Sequence, residues 1–352
     1  MATAFTPLRV AAVDRLCDDA VAVTFDVPAA LRDAFTFRPG QSLTVRRWVD
    51  GREQRRSYSI CAPAGAAPRI GVREVAGGQV SGWLVGGVRA GDEVEVLPPA
   101  GSFTPALDQG GRHVLIAAGS GITPLLSIAA SALANPDSHV TLIYGNRRTD
   151  SVMFADELAD LKDRCPARFE LVHVLSREAR EADVLSGRLD AERLRRLIDA
   201  LVPVAAVDQW WLCGPYGMVE CARTVLLERG VDAGRIHREL FYVEDTAPPP
   251  AQHIEAAPTG ETAEVTVILD GRSTPMTLPR DVPILDAAQL VRSDLPFACK
   301  GGVCGTCRAR VLSGEVRMRR NFALEPDEVD AGFVLTCQSL PVTDAVVVDY
   351  DS

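Results

Sequence analysis

The sequence lacks any uninterrupted apolar run of about 18 residues, the length that a membrane-spanning helix needs. Its N-terminus, "MATAFTPLRVAAVDRL", has no basic start followed by an apolar core and a small-residue cleavage site. We therefore expect a cytoplasmic protein without a membrane partner. Basic residues are also in deficit, because 37 Lys and Arg face 47 Asp and Glu. The resulting net charge of -10 disfavours nucleic acid as a partner.

The chain has the length and composition of a soluble protein with several domains. At 352 residues it is far too long for a miniprotein held together by disulfides. At roughly 100 to 200 residues per domain, it has room for two or three domains. Hydrophobic residues make up 47% of the chain and charged residues 24%, so these domains can bury real cores.

The nine cysteines are distributed unevenly. Five are scattered along the chain: Cys17, Cys61, Cys165, Cys213 and Cys221. The remaining four lie near the C-terminus: Cys299, Cys304, Cys307 and Cys337. A scattered free cysteine usually acts as a small apolar side chain. The C-terminal four have the spacing C-x4-C-x2-C, then 29 residues, then C, which is typical of plant-type 2Fe-2S proteins.

The spacing suits a cluster of two irons and two sulfides. Four thiolates must converge on one compact object, so a loop has to wrap closely around it. Gly301, Gly302 and Gly305 meet this demand, because glycine adopts positive φ and lets backbone N–H groups approach the sulfurs. Zinc is the alternative, but a zinc site more often has two C-x2-C pairs, whereas this sequence has one.

Strand patterns surround the cysteine loop. "EVTVIL" (264–269) alternates as a strand, "DG" (270–271) is a hairpin signal, and "STPMTL" is the returning strand. "VPILDAAQLV" (282–291) has the apolar spacing of a helix, and "DAVVVDYD" closes the domain as a strand. Residues 263–352 resemble the β-grasp domain of plant-type ferredoxins. The resemblance implies one 2Fe-2S cluster held by the four C-terminal cysteines.

The N-terminal region has an all-β pattern. "FRPGQSLTV" (37–45) precedes "RRSYSI" (55–60), and "AGDEVEVLPPAGSF" adds a hairpin. The R-x-Y-S element resembles the flavin-binding barrel of the ferredoxin-NADP reductase family, which implies bound FAD. Arg56 would then bind a phosphate, Tyr58 would pack on the flavin or ribityl group, and Ser59 would hydrogen-bond near the reactive edge. Ser57 belongs to the same predicted site.

"GGQVSGWL" (77–84) resembles the second phosphate loop of that family. Its glycine-rich turn opens toward a short helix. Backbone N–H groups of Gln79, Val80 and Ser81, together with the Ser81 hydroxyl, would hold the pyrophosphate.

The middle region changes to a strand and helix alternation. "HVLIAAGSGITPLLSIAASAL" (113–133) reads as a buried strand, a glycine turn and a helix, and further strands alternate with helices after it. This order predicts a parallel sheet that binds a nucleotide at the carboxyl ends of its strands. Pro124 stands where the general G-x-G-x-x-G motif has its third glycine, a departure that the reductase family shares. The resemblance places Gly119, Gly121 and Thr123 near the pyrophosphate and nicotinamide.

The identity of the nucleotide depends on residues after the later strands. An acidic residue commonly binds the ribose of NAD, whereas a 2′-phosphate favours Arg, Lys or Ser. Ser176 and Arg177 resemble the 2′-phosphate pair of NADP-dependent members, so we expect NADPH. Arg147 is a third candidate, and a solvated turn is its alternative.

Two further segments match family positions that close over nicotinamide and flavin. One is "CGP", which contains Cys213, Gly214 and Pro215, and the other is "RELFYVE", which contains Glu239 and Phe241. The resemblance makes four residues catalytic candidates: Ser59, Cys213, Glu239 and Phe241. A buried Cys213 without chemistry is the alternative.

These patterns predict a multidomain fold. An antiparallel β-barrel FAD domain would occupy residues 1–108, and an α/β parallel-sheet NADP domain residues 109–243. A proline-rich linker would cover 244–262, and a β-grasp (α+β) 2Fe-2S domain 263–352.

The domain order predicts a path for electrons from NADPH through FAD and the 2Fe-2S cluster to a protein partner. "ACKGGVCGTCRARVLSGEVRM" and "SVMFADELADLKDR" resemble the reductase components of bacterial phenylacetyl-CoA epoxidases, and the resemblance covers the whole chain. It implies a di-iron oxygenase as the partner, in phenylacetate catabolism. Three alternatives stay open: the reductase of another aromatic-ring or steroid-hydroxylating oxygenase, a partner-independent NADPH oxidase, and a non-catalytic iron-sulfur protein.

Overall fold

Strands with one apolar face build the N-terminal lobe in the computed structural model, which describes residues 5–108, 110–242, 260–292 and 294–352. The elements of this lobe are β1 (Thr6–Cys17), β2 (Ala20–Asp26), β3 (Ser42–Val49), β4 (Arg52–Ser59), β5 (Arg69–Arg73), α1 (Gln79–Gly86) and β6 (Glu93–Val96). The strands form one antiparallel sheet in the order β4-β3-β6-β1-β2-β5. An antiparallel bridge between Ile60 and Ile70 joins its two edges, so the sheet closes into the predicted barrel.

Alternating strands and helices form the second lobe. Its elements are β7 (Gly111–Ala118), α2 (Ile122–Leu133), β8 (Ser138–Asn146), α3 (Ala155–Arg164), β9 (Phe169–Leu175), α4 (Ala191–Leu201), β10 (Gln209–Pro215), α5 (Tyr216–Glu228) and β11 (Ile236–Tyr242). The five strands are parallel in the order β11-β10-β7-β8-β9. The central strands β7 and β10 are buried on both faces, which explains their continuous apolar runs.

The barrel and the parallel-sheet lobe belong to one compact unit that contains the described residues 5–242. One apolar core extends across both lobes: Ala20 and Ala22 of β2 join Leu125 and Ile128 of α2 in the same cluster of buried side chains. The barrel has a second core of its own around Phe25. The candidate site residues of the two lobes are therefore held in a fixed relation by shared packing.

Residues 260–352 lie in a second compact unit. Its elements are β12 (Thr262–Leu269), β13 (Arg272–Pro279), α6 (Ile284–Ala288), β14 (Arg308–Ser313), β15 (Val316–Met318), α7 (Pro326–Asp330), β16 (Phe333–Leu335), β17 (Ser339–Pro341) and β18 (Ala345–Asp349). Five strands form a mixed sheet in the order β13-β12-β18-β14-β16, and β15 pairs with β17. This arrangement with a packed helix is the predicted β-grasp architecture. The helix is shorter than the pattern over 282–291 indicates.

The predicted hairpin at Asp270 and Gly271 has a clear backbone basis. Both residues have positive φ, 55° and 68°, as a two-residue turn matching the twist of β12 and β13 requires. Most of the predicted linker, residues 244–259, lies outside the described residues. The domain boundaries remain predictions. Among the described residues, no helix is long and apolar enough to cross a membrane.

Candidate functional site

The R-x-Y-S residues lie on β4, at the edge of the barrel sheet. Ser57 hydrogen-bonds to Thr44 on the neighbouring strand at 3.0 Å between hydroxyl oxygens. Arg56 is exposed, and its Nη1 donates to the Arg55 carbonyl at 2.6 Å. Tyr58 shares the strand face of Arg56 and packs against the barrel core, where burial raises the pKa of its phenol. An exposed guanidinium beside a half-buried ring can bind a phosphate and an aromatic group together.

The phosphate-loop residues begin α1. Val80 is buried in the barrel core, so only its backbone can contact a ligand. The Ser81 hydroxyl accepts a hydrogen bond from the Val75 N–H at 3.1 Å and donates to the Gly78 carbonyl at 3.4 Å. The structure thus uses this hydroxyl to hold the loop closed. The anion-binding groups that remain are the first backbone N–H groups of the helix, which have no partner within it.

Gln79 begins α1, and its carbonyl accepts a hydrogen bond from the Arg47 guanidinium on β3. This contact ties the start of the helix to the barrel sheet. The residues predicted to bind FAD are therefore brought together on β4 and α1 of a single lobe.

The glycine turn between β7 and α2 packs tightly against the end of β10. Gly119 has a φ of 55°, which favours glycine. A Cβ on Gly121 would lie 2.2 Å from the Cys213 carbonyl oxygen, so the turn can approach β10 only without a side chain there. Thr123 is 1% exposed, and its hydroxyl donates to the Ser120 carbonyl at 3.0 Å. Gly214, which has a φ of 156°, and Pro215 end β10 at this place.

The residues predicted to select the nucleotide are adjacent at the carboxyl ends of β8 and β9. The Arg177 N–H donates to the Arg147 carbonyl at 2.8 Å, and the Ser176 N–H donates to the Asn146 carbonyl at 2.9 Å. Both arginine side chains are exposed. The nearby Glu178 carboxylate already has two hydrogen-bond partners. It accepts from the Thr149 N–H at 2.8 Å and from the Thr149 hydroxyl at 2.7 Å. Two cationic groups and a hydroxyl thus line this edge.

The side chains of three of the four catalytic candidates, Ser59, Cys213 and Glu239, meet at the carboxylate of Glu239. Cys213 and Glu239 are paired residues of the parallel strands β10 and β11, and Ser59 comes from the barrel. The Ser59 hydroxyl donates to Glu239 Oε2 at 3.2 Å, and Cys213 Sγ lies 4.0 Å from the same oxygen. Phe241, the fourth candidate, packs against the core that both lobes share.

Burial sets the protonation behaviour of this cluster. It raises the pKa of Glu239 to about 7, while the hydrogen bond from Ser59 opposes the rise. Burial likewise raises the pKa of the Cys213 thiol, and the Glu239 charge adds to the effect. Glu239 as a whole residue is half-buried. A group with this pKa can hold or release a proton near neutral pH.

The four C-terminal cysteines form two neighbouring pairs. The Cys304 thiol hydrogen-bonds to Cys299, and a hydrogen bond likewise joins the side chains of Cys307 and Cys337. No three His, Cys, Asp or Glu side chains of the described residues are grouped to hold a single metal ion. Two thiol pairs are the donor set of a centre with two irons, each of which takes two thiolates. The residues therefore fit a 2Fe-2S cluster.

The loop is shaped to present backbone N–H groups to one sulfur. Cys299 Sγ accepts from the N–H groups of Gly301 at 3.3 Å, Cys304 at 3.4 Å and Val303 at 3.5 Å. The Cys304 thiol is the main cause that lowers the pKa of Cys299, and these N–H groups add to it against the effect of burial. Such donors stabilise a thiolate and tune a bound cluster.

Backbone conformations in this loop differ in one respect from the expectation. Gly302 and Gly305 have positive φ, 79° and 67°, but the third such residue is Lys300, with 52°, and Gly301 is not among them. Lys300 is held there because its carbonyl accepts from Gln338 Nε2 at 2.8 Å and its ammonium contacts Asp286 at 2.8 Å. Sequence reasoning missed this support, although the position of Gln338 directly after Cys337 was a usable signal.

Comparisons with known families cover the three parts of the chain. The oxidoreductase FAD-binding domain matches residues 7–104 and the oxidoreductase NAD-binding domain residues 115–224. The 2Fe-2S iron-sulfur cluster binding domain matches residues 267–342. These matches confirm the predicted FAD-binding, NAD(P)-binding and 2Fe-2S domains, and the individual site residues stay predictions.

Relatives extend over the full length of the chain. One of the proteins that make up 1,2-phenylacetyl-CoA epoxidase in Escherichia coli is 43% identical over 99% of both chains. The ferredoxin reductase component of 3-ketosteroid-9-alpha-monooxygenase from Rhodococcus rhodochrous is 35% identical over 97% of this chain and 96% of the relative. The solved structure of phthalate dioxygenase reductase, at 24% identity and a TM-score of 0.61, covers 98% of both chains and shows the same fold.

Proposed function

This chain belongs to the family of oxygenase reductases in which FAD-binding, NAD-binding and 2Fe-2S domains follow one another, and from that premise we propose that it transfers electrons from NADPH to a di-iron oxygenase that epoxidises phenylacetyl-CoA. The enzyme class itself is an NAD(P)H-dependent flavin and iron-sulfur oxidoreductase, and its partner is an oxygenase component. The 43% identity over 99% of the chain carries the assignment of the substrate class.

The bound cofactors supply the redox chemistry: FAD takes a hydride from the nicotinamide, and the 2Fe-2S centre carries single electrons. The protein supplies position and electrostatics. Arg56, with the N–H groups that begin α1, would bind the phosphates of FAD, and Tyr58 would pack along it. The four cysteines would hold the cluster. No side chain has to act as a nucleophile in this reaction.

Ser59, Cys213 and Glu239 would face the reacting rings. Their contacts bring a hydroxyl, a buried thiol and a carboxylate of raised pKa to the place where the barrel meets the nucleotide lobe. The Ser59 hydroxyl fixes the direction of the carboxylate, and Glu239 can hold a proton near neutral pH. Phe241 packs against the core that both lobes share and so supports the position of these three residues.

The preference for NADPH is supported by charge. Arg147 and Arg177 are exposed on adjoining strand ends with Ser176 next to Arg177, which suits a 2′-phosphate. The acidic neighbour Glu178 is tied to Thr149. A cytoplasmic location is supported by the cysteines, because none of the nine forms a disulfide, and disulfides are rare in cytosolic proteins.

Reconstitution tests the proposal. The purified reductase is mixed with the oxygenase component of a phenylacetyl-CoA epoxidase, phenylacetyl-CoA and NADPH, and the epoxide is measured together with NADPH consumption. We expect NADPH consumption that depends on both the oxygenase and the substrate. The matched control replaces the oxygenase with a 3-ketosteroid hydroxylase and its steroid. Faster turnover in the control would assign the chain to the steroid branch, and rapid oxidation without any partner would indicate an oxidase.

A further inference from the structure

Strand β5 presents two different faces. Ile70 and Val72 are fully buried in the barrel core. Successive side chains of a strand point to opposite sides, so Arg69, Gly71 and Arg73 share the outward face. That face lies against the nucleotide lobe, because the nearest heavy atoms to a Cβ built on Gly71 belong to Thr123 and Phe154. Sequence reasoning did not single out these residues, although the R-x-G-x-R spacing of "RIGVR" was visible.

The arginine at each end of this face binds the nucleotide lobe. Arg69 Nη1 donates to Glu157 Oε1, in the first turn of α3, at 3.1 Å. At the other end, Arg73 Nη2 donates to the Ser151 carbonyl at 2.6 Å. Both guanidinium groups are mostly shielded, with 20% and 21% of the side chain exposed. The two contacts therefore fasten β5 to the segment that leads into α3.

Gly71, midway between them, lets two large neighbours approach the strand. A Cβ at this position would lie 2.5 Å from Thr123 Cγ2 and 2.8 Å from Phe154 Cζ, whereas real Cβ atoms essentially never come within 3.0 Å of a heavy atom. The need for glycine comes from this close approach and not from the backbone, because positive φ is absent here.

Phe154 is itself held in a strained conformation. Its φ of 60° and ψ of 33° are left-handed, which is disfavoured for a bulky side chain, and it is 1% exposed. The Arg69 guanidinium lies 5.6 Å from the centre of its ring. Phe154 in this conformation and Thr123 both lie directly against Gly71.

We propose that Gly71 is a positioning residue for hydride transfer. It sets how closely Thr123, and with it the nicotinamide side of the site, lies against the flavin barrel, while Arg69 and Arg73 hold the strand in place. This inference rests on the proposed function, in which the nicotinamide binds beside Thr123. A misplacement of about 1 Å between reacting groups can slow a reaction by up to roughly 100-fold.

Gly71→Ala tests the proposal, with Gly86→Ala as the matched control, because a Cβ at Gly86 meets nothing within 4 Å. Three quantities are measured on each purified protein: the limiting rate of flavin reduction at saturating NADPH, the Kd of NADP+ by calorimetry, and the Tm. In Gly71→Ala we expect the limiting rate to fall at least about 10-fold. The NADP+ Kd should stay within about twofold, because the proposed 2′-phosphate contacts lie at the ends of β8 and β9.

A rescue variant separates positioning from a general loss of structure. Thr123→Ser removes the Cγ2 atom that the new Cβ meets at 2.5 Å. The Gly71→Ala/Thr123→Ser double variant should therefore be faster than Gly71→Ala alone. If Gly71→Ala keeps the wild-type limiting rate, or weakens NADP+ binding as much as it slows reduction without rescue, the proposal is overturned.

Should Gly71→Ala fail to fold, Arg69→Met loosens the same contact without adding volume at the strand centre. A slower limiting rate with an unchanged NADP+ Kd is expected, and an unchanged rate overturns the proposal. The proposed function fails by a different result, namely wild-type protein that binds NADP+ but does not reduce its flavin with NADPH. In that case the NADP+ Kd and Tm of Gly71→Ala against Gly86→Ala still decide whether the close packing exists.

Discussion

The Ser59 hydroxyl donates a hydrogen bond to Glu239 Oε2 at 3.2 Å, although 180 positions separate the two residues in the chain. Ser59 ends β4 of the barrel, and Glu239 lies on β11 at the edge of the parallel sheet. The bond therefore crosses from one lobe to the other. It joins a residue predicted to contact the flavin to a residue predicted to lie near the nicotinamide. Burial raises the pKa of the Glu239 carboxylate in this bond to about 7.

Glu239→Gln should change how the stability of the two-lobe unit depends on pH. The pKa of Glu239 is raised from 4.5 to about 7 in the folded protein, so the folded state favours the protonated form. The stability that this preference contributes is complete below about pH 4.5 and is lost as the pH rises to about 7. The loss has an upper bound of roughly 3 kcal/mol, at 1.36 kcal/mol per pKa unit. Glutamine does not titrate, so the variant should gain stability relative to wild type between pH 5 and 8.

Urea unfolding followed by tryptophan fluorescence measures this difference. All four tryptophans, Trp48, Trp83, Trp210 and Trp211, belong to the unit of the two lobes, so the signal reports that unit. A difference between variant and wild type that is the same at pH 5 and pH 8 would contradict the raised pKa.

Ser59→Ala should raise the pKa of Glu239 further. The hydroxyl donates to the carboxylate and so favours its ionised form, which is the effect that opposes burial at this site. The carboxyl C=O stretch, identified by its absence in Glu239→Gln, can be titrated by infrared spectroscopy. Ser59→Thr keeps a hydroxyl and serves as the matched control, which should titrate near the wild-type pKa. An unchanged midpoint in Ser59→Ala would show that the hydrogen bond does not control the carboxylate.

The cluster loop, which runs from Cys299 to Cys307, shows which structural features the local sequence can predict. Spacing alone indicated that Cys299, Cys304 and Cys307 lie on one wrapped loop, because the ligands of that loop are close in the chain. The conformation inside the loop was less predictable. Lys300 takes the positive φ expected of Gly301, since Gln338 and Asp286 hold it from distant segments.

Contacts between the two lobes could not be predicted from local sequence patterns. The Ser59 and Glu239 pairing leaves no signal in either segment, and only the family resemblance brought both residues into one site. The packing of Thr123 and Phe154 on Gly71 had no such guide. Patterning along "RIGVR" identifies a strand and its buried face, but what covers the other face is decided by the docking of the second lobe.

Gly121→Ala should strongly destabilise the nucleotide lobe. The new Cβ would lie 2.2 Å from the Cys213 carbonyl oxygen and 2.8 Å from the Gly214 nitrogen, and these backbone atoms cannot rotate away. Overpacking of this kind costs typically 1–3 kcal/mol, so we expect a loss of about 2 kcal/mol or more in urea unfolding. Gly217→Ala is the control, because its Cβ meets nothing within 4 Å and alanine favours the helix α5. Equal stability of the two variants would contradict the close approach.

Arg177→Ala should weaken the binding of NADPH far more than the binding of NADH. The exposed guanidinium lies beside Ser176 and Arg147, where only the 2′-phosphate of NADPH would use it. We expect KM for NADPH to rise on the order of 10-fold, the loss of a charge-assisted hydrogen bond of about 1.5 kcal/mol, with less than about a twofold change for NADH. Arg148→Ala is the control, because Arg148 contacts Asp150 at 3.7 Å. An unchanged ratio of the two KM values would show that Arg177 does not discriminate between NADPH and NADH.

Cys304→Ser should separate the two halves of the electron path. Cys304 pairs with Cys299 in the cluster loop, and serine is a poorer iron ligand than a thiolate. The lesion lies downstream of the nucleotide and flavin residues, which belong to the other compact unit. Reduction of cytochrome c should therefore be abolished while NADPH still bleaches the flavin absorption in stopped flow at close to the wild-type rate.

Cys221→Ser is the control for this separation, because Cys221 is a half-buried thiol on α5 far along the chain from the cluster loop. It should keep both activities and the 2Fe-2S signal that appears on reduction. If Cys304→Ser loses flavin reduction and cytochrome c reduction to the same extent, the proposed order, with the cluster downstream of the flavin, would be contradicted. Cytochrome c reduction that survives in Cys304→Ser would instead show that electrons leave from the flavin and that the four cysteines serve the fold of residues 260–352.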